Sequence, residues 1–438
     1  MIKNKWLVYL SFILTIAIGG CSSSGNKDTS IKQNQEIVTL RLAWWGEQPR
    51  HEYMMKVIEL YEKKNPHIHI EPEYANWDDY WKRIAPMAAG NELPDIMQMD
   101  LLYLRPYASN QLLEDLTTYI EENVIGTQSI SREILEGGVI NNQLYGFPLG
   151  LNAPAVIVDH ALFHSAQTVG PKSNWTWDEF EDTAIEVHDQ LDIFGTNGMK
   201  PPEVFFPYYL RTQGENFYNE EGTSLGYKDD QLFINYFNLQ LQLVKKGAFP
   251  KPNVTEQIKV IEDELLVSQL SPMTWSYSNQ YFGFLYASKR PLELYPPPRG
   301  NLNDGLLVRP SMFFSIGKNS MQKEEAAKFI HFFTNDVEAN QLIQGERGVP
   351  VSTKIANDLY PNLNNEQKKV FDYVNQVREI SEKVESPDPI GAIQIVAQLQ
   401  SISEQILFEK ITPAEGAKLF RKEANRILSK NNIYVKEH

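Results

Sequence analysis

From Ile37 to Ala43 apolar residues alternate with polar ones (Ile-Val-Thr-Leu-Arg-Leu-Ala), the period of a strand lying on a core, and Trp44-Trp45-Gly46 ends the run in a turn. The period then becomes helical. Over residues 49–64, Tyr53, Val57, Leu60 and Tyr61 share one face, and Asn65-Pro66 stops it. A second strand over 67–74, a helix over 81–89 ended by Gly90, and a short strand over 94–99 closing at Asp100 complete the series. Strand, helix, strand, helix, strand predicts parallel pairing with helical crossovers. Further along, residues 155–158 read as an apolar strand, and Thr176 with Glu179 three residues on reads as a helix start. Helices are predicted over 231–246, 323–334, 366–384, 390–407 and 413–428, the last with Pro413 at its first position. The proline clusters Tyr295-Pro296-Pro297-Pro298 and Ser386-Pro387-Asp388-Pro389 mark loops, and no internal repeat is evident.

The amino terminus has a different pattern. Lys3 and Lys5 precede an apolar stretch over 7–18 broken only by Ser11 and Thr15. About 12 apolar residues are too few to span a bilayer, which needs roughly 20, so residues 1–20 read as a signal peptide. Ile18-Gly19-Gly20-Cys21 resembles the lipobox of bacterial lipoproteins, which implies acylation of Cys21 and anchorage at a membrane surface. Cys21 is the only cysteine, so the sequence excludes an intrachain disulfide, a thiolate zinc cluster and a thiol nucleophile. The small polar residues that follow make 21–36 a flexible tether, able to extend ~50 Å.

Composition adds limits. The 41 basic and 56 acidic residues of the whole chain become 39 and 56 once Lys3 and Lys5 leave with the signal peptide, a net charge of −17. That argues against a nucleic-acid partner. A hydrophobic content of 42% excludes bulk disorder, and the length remaining after residue 20 calls for two domains. Eight tryptophans and 21 tyrosines supply flat apolar faces of the kind that cover sugar rings.

Several stretches carry a family resemblance in their order and spacing. They are the strand-helix-strand over 39–74, Ala89-Gly90-Asn91-Glu92-Leu93-Pro94-Asp95-Ile96, Leu144-Tyr145-Gly146-Phe147-Pro148, Thr176-Trp177-Asp178-Glu179-Phe180, Lys323-Glu324-Glu325-Ala326-Ala327-Lys328-Phe329-Ile330 and Gly345-Glu346-Arg347-Gly348-Val349-Pro350. Together the chain resembles the bacterial extracellular solute-binding proteins that serve sugar ABC importers. Leu40-Arg41-Leu42-Ala43-Trp44-Trp45-Gly46 and Asn76-Trp77-Asp78-Asp79-Tyr80-Trp81 are most similar to the Bacillus branch encoded beside rhamnogalacturonan-degrading enzymes. The resemblance implies an oligosaccharide ligand, partly acidic and of pectin origin, ABC permease subunits as partners, no cofactor and a monomer outside the cytoplasm. It also implies an α/β, two-lobe fold like that of periplasmic binding proteins, each lobe a mainly parallel sheet flanked by helices. Residues 37–152 and 314–365 would form lobe 1, and 153–313 and 366–438 lobe 2. Hinge crossings are expected near 151–156, 309–314 and 365.

A sugar site needs rings for the pyranose C–H faces and amides, carboxylates or guanidinium groups for its hydroxyls. Ligands of open α/β sheets sit beyond the carboxyl ends of strands. Those rules select Trp44 and Trp45 after the first strand, one packed inward and one facing the ligand, then Asn76, Trp77 and Asp78 after the second, and Asp100 and Tyr103 after the third. Asn152 at the first crossing and Trp275, Tyr277 and Asn279 of the second lobe complete the set. Asn76 or Asp78 would alternatively cap a helix. For a ligand carboxylate the candidates are Arg50, Arg211 and Arg347, with Arg347 favoured by its flanking glycines.

Catalysis finds no support in the sequence. Gly222-Thr223-Ser224-Leu225-Gly226 matches G-x-S-x-G but lacks the preceding apolar strand and following helix of a nucleophile elbow. His67 and His69 share a strand face with no third metal ligand nearby, Asp78 and Asp79 are adjacent and do not flank a bond, and Gly317-Lys318 lacks the earlier glycine of a phosphate loop. No catalytic or metal-binding residue is expected.

Overall fold

The strand β1 (Val38–Trp45) is buried along most of its length, paired on both edges and packed against helices. The computed structural model describes residues 37–300, 305–381 and 384–431, so the signal peptide, Cys21 and the tether lie outside the described residues. β2 (Ile68–Ala75) and β3 (Ile96–Met99) flank β1 in parallel, with Leu42 opposite Pro72 on one side and Ile96 on the other. Two helices make the crossovers. The first, Gln48–Lys64, buries Tyr53, Met54, Val57, Ile58 and Tyr61 on one face. The second, Trp77–Gly90, starts four residues earlier than the periodicity suggested, because the Asn76 side chain accepts the Asp79 backbone N–H at 3.0 Å and caps it.

The chain leaves this sheet through β4 (Phe147–Pro148), passes β5 (Leu151–Asn152), and enters a second sheet at β6 (Pro154–Val158). There β7 (Met273–Tyr277) and β8 (Glu293–Tyr295) pair with it. The return runs through β9 (Arg309–Pro310) to β10 (Phe313–Ile316), which closes the first sheet in the order β2-β1-β3-β10-β4. The two crossings meet: Arg309 pairs with Asn152 and Pro310 with Leu151 in an antiparallel ribbon between the sheets.

The α/β class holds, with one difference in detail. The second sheet, order β8-β6-β7, is antiparallel throughout, and β10 joins the first sheet antiparallel. The Thr176/Glu179 capping box is present, as is a second at Thr412/Glu415 before the helix Pro413–Leu428. The helix predicted over 366–384 ends at Ile380, short of the proline cluster that follows. Among the described residues no helix is long and apolar enough to cross a membrane.

Candidate functional site

A cleft of about 1530 Å³ opens where the helices after β2 and β3 face the helix Pro202–Thr212 and the loop after it. Strand ends position the first wall. Trp77 begins the helix after β2, and Asp100 caps the helix Leu101–Ser109 after β3, its Oδ1 accepting the Leu102 N–H at 2.9 Å. Arg105 projects from the same helix. The opposite wall carries Glu203, Arg211 and the loop 214–222, and the segment 384–390 lines the site between them.

Trp77 is 39% exposed, and its ring is held edge-on by Trp45 at 4.9 Å and Trp81 at 5.7 Å between centroids. Tyr103 stacks flat on Trp81 at 3.6 Å and stands 6.2 Å from Trp77, backing the exposed ring. A rigid, open indole of this kind is a stacking platform. Asp78 is exposed in the first turn beside it.

Charge gathers at the crossing ribbon. Arg309 donates from Nη1 to Glu385 Oε2 at 2.9 Å and from Nη2 to Asp100 Oδ2 at 3.4 Å, and its guanidinium lies 5.8 Å from the Tyr277 ring. Burial works against the Glu385 carboxylate, yet Arg309 and Arg211 outweigh it and hold Glu385 below the usual carboxylate range. Asp388 goes the other way. Burial, reinforced by Glu385 and Asp100, pushes it up to about 7 against the opposing pull of Arg309 and Arg105. Arg105 donates to the backbone carbonyls of Asp388 at 3.0 Å and Pro387 at 3.4 Å, which fixes this loop against the first wall.

Several of the expected ligand contacts lie elsewhere. Trp44 is fully buried, stacked on Tyr74 at 5.1 Å with its Nε1 on His51, and Trp45, 8% exposed, backs Trp77, so both tryptophans of the first turn pack inward. Arg50 is tied into a forked pair with Glu346, Nη2 to Oε1 at 2.8 Å, and donates to the Trp45 carbonyl. Arg347 is 1% exposed, bonded to Gln98 Oε1 at 2.6 Å and surrounded by the rings of Tyr53, Phe314 and Phe333. Its flanking Gly348, at φ +103°, serves the ribbon: a Cβ there would lie 2.5 Å from Asn152 Oδ1. Trp275, 3% exposed, stacks on Trp177 at 5.8 Å and meets Phe205 edge-on at 4.7 Å inside the second core. Trp275 and Tyr277 share one face of β7, so position along the strand separates them: Tyr277, its last residue, lies beside Arg309, whereas Trp275, two residues back, is sunk in the core. Asn152 is buried in the ribbon, and Asn279 is half-buried in the turn after β7.

Sequence reading missed Arg105, Arg309 and the loop 384–390. The signal available was Asp388 between two prolines, an acidic residue in a segment with no need of one, and Arg309 before Pro310 at a predicted crossing.

The description "bacterial extracellular solute-binding protein" matches residues 45–340. An extracellular solute-binding protein family 1 structure from Alicyclobacillus acidocaldarius is 29% identical, with a TM-score of 0.70 over 90% of this chain and 99% of its own. A periplasmic oligogalacturonide binding protein from Yersinia enterocolitica, in complex with saturated digalacturonic acid, is 23% identical with a TM-score of 0.79 over 90% and 99%. An ABC substrate-binding protein from Listeria monocytogenes in complex with cycloalternan is 18% identical with a TM-score of 0.77 over 89% and 99%; these last two likenesses are of fold. A match over residues 45–340 spans well over half of the chain, which belongs to the family of bacterial extracellular solute-binding proteins.

Proposed function

We propose that the chain is the lipid-anchored solute-receiving subunit of an ABC importer, and that its solute is an oligosaccharide of pectin origin, partly acidic. The cleft carries this reading. Its volume of about 1530 Å³ exceeds the roughly 300–1,000 Å³ of small-molecule pockets, as several linked sugar rings require. Trp77 offers a stacking face, and Asp100, Asn216, Asn219 and Arg211 offer hydrogen bonds for hydroxyls. The solutes bound in two fold neighbours, digalacturonic acid and cycloalternan, are also oligosaccharides.

Lobe 1 comprises residues 37–152 and 314–365, and lobe 2 the rest of the body, with the β5/β9 ribbon as hinge. An oligosaccharide bridging both walls stabilises a closed form. Moving from mostly open to mostly closed takes ~5 kcal/mol of differential affinity, within reach of a stacked ring and several charged hydrogen bonds. Cys21, acylated, holds the body at the membrane, and the permease receives the closed form.

One observation favours a second reading, a glycoside hydrolase. Asp388, pushed up to about 7, and Glu385, held low, share the cleft in the manner of an acid and its partner. Against it, Glu385 is bonded to Arg309. Incubation with rhamnogalacturonan and galacturonan oligosaccharides, followed by chromatography, decides between them. Binding with intact sugar supports a receptor; shorter products at many per protein would establish a hydrolase.

A further inference from the structure

The guanidinium groups that could meet a ligand carboxylate differ in what already holds them. Arg50 is forked onto Glu346, and Arg347 is walled into the first core. In the cleft itself Arg309 is bridged between Glu385 and Asp100, and Arg105 is turned onto two loop carbonyls. Arg211 is different. It sits at the last turn of the helix Pro202–Thr212, lines the cleft, and uses only Nε, which donates to the Gly305 carbonyl at 2.8 Å. Nη1 and Nη2 have no hydrogen-bond partner among the described residues. The Tyr208 ring lies 5.9 Å from the guanidinium carbon.

This arrangement holds one edge of the fork and leaves the other open. Gly305, at φ +71°, makes the anchor possible, because a Cβ there would come within 2.6 Å of Thr212 Cγ2. A guanidinium fixed through Nε presents its two Nη groups in a plane, a geometry matched by a carboxylate and unmatched by a single hydroxyl. Glu385 feels the charge of Arg211 but is bonded by Arg309, so it does not quench it.

We propose that Arg211 is the residue by which this cleft recognises a carboxylate on its ligand, an inference that rests on the oligosaccharide reading above. A uronate ring docks with its carboxylate on the Nη edge of Arg211.

The test uses the full chain and two probes, an unsaturated rhamnogalacturonan disaccharide and its methyl ester, titrated by calorimetry into wild type, Arg211→Gln and Arg211→Lys. Wild type should prefer the free acid. In Arg211→Gln the ratio of affinities for acid and ester should fall about ten- to a hundredfold, with Arg211→Lys between, since it keeps charge but loses the fork. An unchanged ratio in Arg211→Gln overturns the inference, as does a wild type that binds acid and ester alike. A wild type that ignores both probes yet binds a neutral oligosaccharide overturns this inference alone, whereas one that binds no sugar overturns the oligosaccharide reading beneath it.

Discussion

Trp77 stands edge-on to Trp45, ring centroids 4.9 Å apart, and the inner ring is sunk in the core while the outer one opens into the cleft. A residue in Trp77's position contributes to ligand affinity more than to folding. Trp77→Ala should weaken oligosaccharide binding by ~1–3 kcal/mol, on the scale of aromatic stacking against flat ligands. Trp275→Ala should instead cost ~3–5 kcal/mol of stability, since it empties a core position. Calorimetry and denaturant unfolding of both variants separate the two effects; the reverse assignment would mean that the cleft wall has been misplaced.

The Arg50–Glu346 fork links the first crossover helix to the turn before Arg347, and Tyr53 adds a hydrogen bond to Glu346 Oε2 at 2.7 Å. Glu346→Gln should cost on the order of 2 kcal/mol, less than the roughly 3–5 of a fully buried pair because the carboxylate retains partial solvent access. Burial opposes the charged form of Glu346, but Arg50 holds it below its usual pKa. Its stabilisation is therefore present above the unfolded value of ~4.3 and fades as pH falls through the lower folded value. Denaturant midpoints measured at pH 7 and pH 3 should show the variant's deficit shrinking toward acid.

Asp388 has the opposite sign. Its folded pKa of about 7 lies above the unfolded ~3.9, so between these values the folded chain binds the extra proton. Stability from this group is complete below pH ~4 and lost as pH rises through about 7. Asp388→Asn mimics the neutral acid and should gain on wild type across that window, then hold a constant lead above it. A lead that is the same at pH 4 and pH 8 would contradict the assignment.

Cys21→Ala removes the proposed acylation site, and cell fractionation in detergent should find the variant unprocessed or released. Unchanged membrane retention of processed protein would contradict the anchor.

Much of the first sheet was legible because local patterns and tertiary burial agree there: Leu40 and Leu42 alternate, Tyr53 to Tyr61 keep helical spacing, and Asn76 is a strong cap. The rule that ligands sit beyond strand ends placed Trp77 and Asp100 at the cleft. It failed for arginines and buried rings. Whether Arg347 or Arg211 faces solvent depends on Gln98, Phe314 and Gly305, partners up to 249 residues away in sequence, and no local period encodes that. Trp275 was misread for a related reason, since a polar-aromatic run on an edge of β7 looks the same whether its ring meets a sugar or Trp177. The loop around Asp388 was visible only as proline punctuation.

Calorimetric titration of the full chain with an unsaturated rhamnogalacturonan oligosaccharide reads capture itself. Saturable binding at one ligand per chain, weakened in Trp77→Ala, is expected. Absence of saturable heat with this sugar and with every other oligosaccharide tried, from protein that unfolds cooperatively, would contradict it.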